Sequence, residues 1–206
     1  AGRHQRDSFD LTPTTFDTTG ASFRRWDALA KSRIQVSPSL GAGVMVNGYT
    51  NRSRGNSIGE LGPQQDDIRD RTLNISGTMD WLITPTATFQ VRGYGAFFDE
   101  RSAGRLAPPQ VTELEPGALD EDLAKVDASF GRVIGTRQQL QAGVEWSWNR
   151  YAGVNRIAFD DVDVTTSVVW AQHRYSLHER LTTTIGARLD AHSTFGNALS
   201  PKVGAN

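Results

Sequence analysis

The chain has 206 residues and a formal charge of −1, with 37% hydrophobic residues, 20 glycines and no cysteine. Near-neutrality without a basic stripe removes the electrostatic case for nucleic acid, and the lack of cysteine excludes a disulfide framework and a thiolate metal site. No stretch approaches the roughly 18 consecutive apolar residues of a membrane-spanning helix, whereas a membrane β-strand needs only about 9 to 11 residues with one apolar face.

Composition shows no break that would divide the chain, and it is read as one unit. The first residues, 1–7, contain no apolar signal core, so a targeting peptide is expected to have been removed or to lie outside this chain. The first strand signal places Trp26, Ala28, Ala30, Ile34 and Val36 on one parity against Asp27, Lys31, Arg33 and Gln35. A turn at Ser37-Pro38-Ser39 follows, and Leu40, Ala42, Val44 and Val46 resume the alternation. The clearest strand is 68–83, with Leu73, Ile75, Met79, Trp81 and Ile83 opposed by Asp70, Thr72, Asn74, Ser76, Thr78 and Asp80. A period of 3.6 would mix these two sets around a cylinder, so the pattern selects strand over helix.

Pro85 breaks the pattern because it cannot donate to a sheet ladder. In 87–98 the outward set is Ala87, Phe89, Val91 and Phe97, against Thr88, Gln90, Arg92 and Tyr94. Ala124, Val126, Ala128 and Phe130 alternate with Lys125, Asp127 and Ser129. Beyond a Gly135-Thr136 turn, Leu140, Ala142, Val144, Trp146 and Trp148 alternate with Gln141, Glu145, Ser147 and Asn149. Residues 164–175 are strand-like, but adjacent Val168 and Val169 leave the faces unassigned. The last full strand sets Leu181, Thr183, Ile185, Ala187 and Leu189 against Thr182, Thr184, Arg188 and Asp190.

Connections near Pro38, Pro85, Gly135 and His178 are short, while 51–67, 101–121, 152–163 and, less extensively, 191–199 read as long polar loops. Short turns on one rim and long loops on the other is the anatomy of outer-membrane barrels. Trp26, Tyr49, Phe97, Trp148 and Tyr151 fall near the long-loop end, and Trp81, Phe89, Phe130 and Tyr175 near the short-turn end, the placement of two aromatic girdles. The competing reading of these aromatics is the core of a soluble β-sandwich.

Gly55-Asn56-Ser57-Ile58-Gly59 fits the G-x-S-x-G elbow of hydrolases, but Glu60-Leu61-Gly62-Pro63 opens no helix and no triad partners are placed. Asp66-Asp67, Glu113 with Glu115, Asp120-Glu121-Asp122 and Asp160-Asp161 with Asp163 lack the spacing of a defined calcium loop and read as solvated charge. His4, His173, His178 and His192 show no zinc spacing. No catalysis, metal or cofactor is expected. Arg92, Glu145, Asn149, Arg188 and Asp190 read as the hydrated inner wall of a wide barrel.

The segment 175–190, YSLHERLTTTIGARLD, followed by STFGNALSPKVG at 193–204 and preceded by Ala171-Gln172, resembles a stretch common in TonB-dependent outer-membrane receptors. There a glycine-arginine strand leads to a Ser-Pro-basic strand start, as at Gly186 to Lys202 here. The resemblance is close over roughly the last 40 residues and architectural elsewhere. It implies a barrel of about 22 strands whose lumen holds an N-terminal plug.

The expected fold is therefore an all-β, antiparallel transmembrane β-barrel, partial, supplying about eight full strands of a larger barrel over 1–206, with the plug domain absent. The resemblance implies an outer-membrane receptor of a Gram-negative bacterium. It would import a scarce nutrient such as a ferric siderophore or cobalamin, energised by TonB through the plug. Its partners would be outer-membrane lipid, the plug, the remaining barrel strands and the metal chelate or cobalamin. The alternative is a passive porin-like or small self-contained barrel. Ligand capture must begin at the outer rim, which makes Arg54, Arg105, Arg150, Tyr151 and Phe195 the candidate ligand-binding residues.

Overall fold

A computed structural model describes residues 2–9, 21–59, 61–107, 112–155, 161–178 and 181–206. They form ten strands: β1 (Gly2–Phe9), β2 (Ala21–Ser37), β3 (Leu40–Gly59), β4 (Gly62–Thr84), β5 (Ala87–Leu106), β6 (Gly117–Ile134), β7 (Gln138–Val154), β8 (Val162–His178), β9 (Leu181–His192) and β10 (Gly196–Ala205). Each pairs antiparallel with its sequence neighbours in one sheet of order β1 to β10, and that sheet is open. The eight expected strands are β2 to β9, and β10 is the expected continuation. β1 is an additional strand that the sequence pattern did not reveal, since 2–9 has no apolar alternation.

Cross-strand register carries the parity of each strand into the next. Ile34, Ala42, Met79, Val91, Ala128, Val144, Val169, Leu189 and Leu199 stand in one register row across nine strands. This row settles the faces of β8. Val169 shares the apolar face with Val144 and Leu189 and is 58% exposed, whereas Val168 lies opposite Glu145 and Asp190 on the polar face and is 3% exposed.

One face of the sheet is a continuous apolar surface against which none of the described elements packs. Trp26, Ile34, Val44, Trp146, Val169 and Ile185 are among its exposed members, and the buried apolar residues of the described chain are only Ala87, Leu106, Ala152 and Val168. A soluble sandwich would cover such a face with a second sheet, since exposed patches of this extent mark a membrane or partner surface.

The short turns show how the sheet stands in a barrel. The row through Leu40, the first residue of β3, passes through Trp81, Phe89, Phe130 and Ala142 to Ala171 of β8. β8 continues from there to His178, so the turn rim has moved seven residues along the strands over three hairpins. That is about 23 Å along strands and about 29 Å across them, which makes the rim level when the strands tilt by roughly 40°. The value lies within the range of membrane barrels.

The strands run beyond the apolar belt, and this corrects the loop boundaries. Residues 51–59 and 62–67 are ladder: β3 continues to Gly59, β4 begins at Gly62, and the pairing runs unbroken from Leu40↔Trp81 to Gly59↔Gly62. The segment 101–121 shrinks to 107–116 between strands, 152–163 to 155–161, and 191–199 to 193–195. Polar composition marked the end of the membrane and not the end of the sheet, because backbone pairing continues in water. The aromatic placement is corrected likewise: Trp26, Phe97 and Trp148 share the apolar parity, but Tyr49 pairs with Asp27 and Thr72, and Tyr151 with Glu121, on the inner face.

Candidate functional site

Counting up each strand from its short turn, the apolar outward positions end at Trp26, Leu73, Phe97 and Trp148, ten or eleven residues above Ser37, Thr84, Ala87 and Gln138. With a tilt near 40° this is a belt about 26–28 Å tall, close to the band of membrane barrels. Above it the outward parity becomes charged, and the inward parity becomes the wall of an outer mouth.

On the outward side Asp67 is a hub. It accepts from Arg52 Nε at 2.7 Å and Arg54 Nε at 3.0 Å, with Arg69 Nε at 3.8 Å. The Arg52 hydrogen bond, with Arg54 beside it, lowers the Asp67 carboxyl to about 2 and raises the Arg52 guanidinium. A second cluster joins Arg101 to Asp120 through two hydrogen bonds at 2.9 and 3.3 Å and to Asp99 at 2.6 Å, and the Asp120 contact raises Arg101.

Arg54 and Arg105 come together. Both line a cavity of about 640 Å³ at the hairpin tips, with Asp66, Asp67, Glu113 and Leu114. Its walls are tied by Arg105 Nε donating to Gln65 Oε1 at 2.7 Å and Ser57 Oγ donating to Asp66 Oδ2 at 2.5 Å. Segment 112–116 closes it through Leu114 N to Gly104 O, 2.9 Å, and Leu106 N to Thr112 O, 2.7 Å. The other three candidates lie apart. Arg150 is on the outward parity, 3.8 Å from Asp122; Tyr151 is on the inner wall opposite Glu121; Phe195 is in the β9–β10 turn, 85% exposed, its ring tilted against His192 at 4.6 Å between centroids.

The inner wall carries polar groups with few covering partners. Arg25 lies over the Tyr49 ring at 4.3 Å, Tyr94 donates to Asn74 Oδ1 at 3.2 Å, and Asn51 Nδ2 donates to Asp70 Oδ2 at 3.1 Å. Three buried acceptors beside them, Asn51 Oδ1, Asp70 Oδ1 and Thr72 Oγ1, meet no donor among the described residues. Lower down, Arg188 bridges Glu145 at 3.1 Å and Asp190 at 2.9 Å, and Lys125 reaches Glu145 at 3.5 Å. Arg92 and Asn149 also fall on this face, opposite Asp127 and Leu123. The Asn51, Asp70 and Thr72 cluster was not singled out in the sequence. The parity of 68–83 carried through the ladder to β3 is the signal that finds it.

Ser57 is no nucleophile elbow, because it sits inside β3 with Asp66 as its partner and no helix follows. Among the described residues no group of three His, Cys, Asp or Glu side chains is placed to hold a metal ion, and Asp160 lies outside them. The His192 ring Nδ1 instead accepts from Thr194 N at 3.1 Å and Phe195 N at 3.2 Å, fixing a turn.

A single-layer antiparallel sheet with an uncovered apolar belt, a polar opposite face and tilted strands is wall from a transmembrane β-barrel. The chain belongs to the family described as TonB dependent receptor-like, beta-barrel, whose model matches residues 3–206. Members of that family are receptors and transporters of the Gram-negative outer membrane. No curated protein matches the chain. Among solved structures, the RagAB peptide importer in a closed-closed state is similar over 90% of this chain and 30% of its own, at 11% identity and a TM-score of 0.60. A mutant of the ferric enterobactin receptor PfeA from Pseudomonas aeruginosa is similar over 90% of this chain and 31% of its own, at 13% identity and a TM-score of 0.59. Those likenesses establish the fold, and the chain spans about a third of each matched structure's length.

Proposed function

We propose that this segment is part of the barrel of an outer-membrane active importer, the whole protein taking up a scarce nutrient of the ferric siderophore or cobalamin type with energy delivered by TonB. The observation that carries the proposal is the family match over residues 3–206. The inner wall supports it. Its polar parity, with Asn51, Asp70, Thr72, Tyr94 and Arg92, is the hydrated or plug-facing surface that a wide lumen needs. In this reading residues 1–206 are wall, the plug is a separate part of the full protein, and the remaining strands complete the barrel.

The hairpins above the belt extend the wall outward and form the first surface a ligand meets. Arg54 and Arg105, on the outward parity beside the tip cavity, and Tyr151, on the inner wall, are the candidates for that first contact. The cognate ligand is either a metal chelate or cobalamin, and a peptide, as imported by one structural relative, is the competing class.

The test is uptake by cells carrying or lacking the full-length protein, offered radiolabelled ferric siderophores, cobalamin and peptides. Uptake of one class that disappears on deletion of the protein, and also on collapse of the inner-membrane proton gradient, is the expected result. Uptake that persists after collapse of the gradient identifies a passive pore and overturns the proposal.

A further inference from the structure

Five arginines stand in one cross-strand row. The ladder pairs Arg6 with Arg24, Arg24 with Arg52, Arg52 with Arg69, and Arg69 with Arg101. Like charges directly opposite one another across a sheet are destabilising, and among Arg24, Arg52, Arg69 and Arg101 the opposition repeats over four adjacent strands. Three acids answer them nearby: Asp67 binds Arg52, Arg54 and Arg69, while Asp99 and Asp120 both bind Arg101. With Arg71 two residues below Arg69, Arg105 at the tip and Asp122 beside Phe97, seven described arginines on the outward parity of β2 to β6 at the long-hairpin end face four aspartates. The chain as a whole is formally −1, so the excess is local.

The height of the row is set by the ladder. Arg24, Arg52, Arg69 and Arg101 lie between twelve and fifteen residues above the short turns of their strands, directly over the apolar positions that end at Trp26, Leu73 and Phe97. With strands tilted near 40° this is about 5–12 Å above the belt, the level of lipid headgroups.

A second feature lies directly beneath. A shallow groove of about 650 Å³ opens on the same surface, lined by Trp26, Ala28, Ala30, Val46, Gly48 and Leu73. It exists because small residues stand between Trp26 and Leu73, and a Cβ on Gly48 would come within 2.7 Å of the Thr72 carbonyl oxygen. The groove runs down the face from four residues below Arg52 and Arg69, at Gly48 and Leu73. Cationic forks above and an apolar slot below have the chemistry of a phosphate-bearing headgroup joined to an acyl chain.

We propose that the arginine row and the groove beneath it form a binding site for a phosphorylated lipid of the leaflet surrounding the long-hairpin end of the barrel. Each guanidinium offers a planar donor fork that suits phosphate oxygens, and neighbouring strands stand about 4.8 Å apart, so two or three arginines bracket one phosphate. The bound anion relieves the lateral repulsion that the four aspartates leave in place. Free phosphate lacks the chain that the groove accommodates, and an acidic protein partner has no use for a groove at the level of the bilayer.

This inference rests on the outer-membrane reading. Its test uses the full-length protein in detergent micelles, titrated with diphosphorylated lipid A, its dephosphorylated form and inorganic phosphate, and read by native mass spectrometry. The wild type is expected to prefer diphosphorylated lipid A over the dephosphorylated form. Joint replacement Arg24→Gln, Arg69→Gln and Arg71→Gln weakens that binding about a hundredfold. Ala28→Phe, which fills the groove, weakens it about tenfold. Arg132→Gln, outward at the opposite rim between Ala87 and Leu140, leaves it unchanged.

Equal binding of the two lipid A forms by the wild type overturns the proposal, and needs no variant to fold. Triple-variant binding at the wild-type level overturns it too, as does full displacement by inorganic phosphate with no contribution from the chain. A protein that fractionates as soluble, with no heat-modifiable form, fails the outer-membrane reading instead. A heat-modifiable barrel without headgroup preference fails this proposal alone.

Discussion

Replacing Val44 by arginine tests the two-faced wall most sharply. Val44 is 48% exposed on the apolar parity, between Ser32 and Gly77, and lies four residues above Leu40. At a rise of about 2.6 Å per tilted residue it sits about 10 Å up a belt about 26–28 Å tall, close to the bilayer centre. An arginine there costs about 2–3 kcal/mol, a roughly 30- to 140-fold loss in the folded population. Ser76→Arg is the companion. Ser76 pairs with Met45 and Tyr94 on the inner parity, where the new guanidinium stays in water, and its cost is expected within about 0.5 kcal/mol. Urea titration of the full-length protein in lipid vesicles, scored by the heat-modifiable fraction on gels, measures both. Equal costs for the two variants would refute the face assignment, and a negligible cost at Val44 would refute the membrane.

Asp67 supplies a pH signature. Its folded pKa of about 2 lies below the ordinary value of 3.8, so its ion pairs contribute fully above pH 3.8 and fade as the pH falls toward 2. Its side chain is 27% exposed, and solvent screening holds the contribution to about 1 kcal/mol. Amide exchange in the β3–β4 hairpin is expected to accelerate across that window in the wild type and to lose this dependence in Asp67→Asn; an unchanged profile in the variant refutes the hub. Glycines give a steric contrast. A Cβ at Gly186 would meet the Ala171 carbonyl oxygen at 2.7 Å, whereas one at Gly93 meets nothing within 4 Å. Gly186→Ala is therefore expected to cost about 1–3 kcal/mol and Gly93→Ala almost nothing in the same urea titration.

Much of the wall was legible because a strand in a membrane barrel meets lipid on one side and water on the other, and period two records that directly. Leu73 to Trp81 and Leu140 to Trp148 carry the pattern without interruption. It failed where the contrast between the two sides vanishes. Above the belt both parities are polar, so 51–67 looked like loop although the backbone of 51–59 and 62–67 pairs throughout. At Val168 an apolar residue occupies the inner wall opposite Glu145, which blurred the phase of β8 until register with β7 fixed it. The candidate site was half legible. Arg54 and Arg105 meet at the hairpin tips, but neither their sharing of a cavity nor the row from Arg6 to Arg101 follows from spacing along the chain. Both depend on which residues stand opposite across strands.

In the two-faced wall β7 crosses a bilayer with alternate residues in lipid and water. Single cysteines placed from Leu140 to Asn149 in the full-length protein, with any other cysteines replaced, measure that in intact outer membranes. Positions 142, 144, 146 and 148 are expected to react with a lipid-soluble maleimide and resist a charged one, while 141, 145, 147 and 149 react with the charged reagent. Labelling of both sets by the charged reagent, or protection that repeats every three to four residues, would contradict the account.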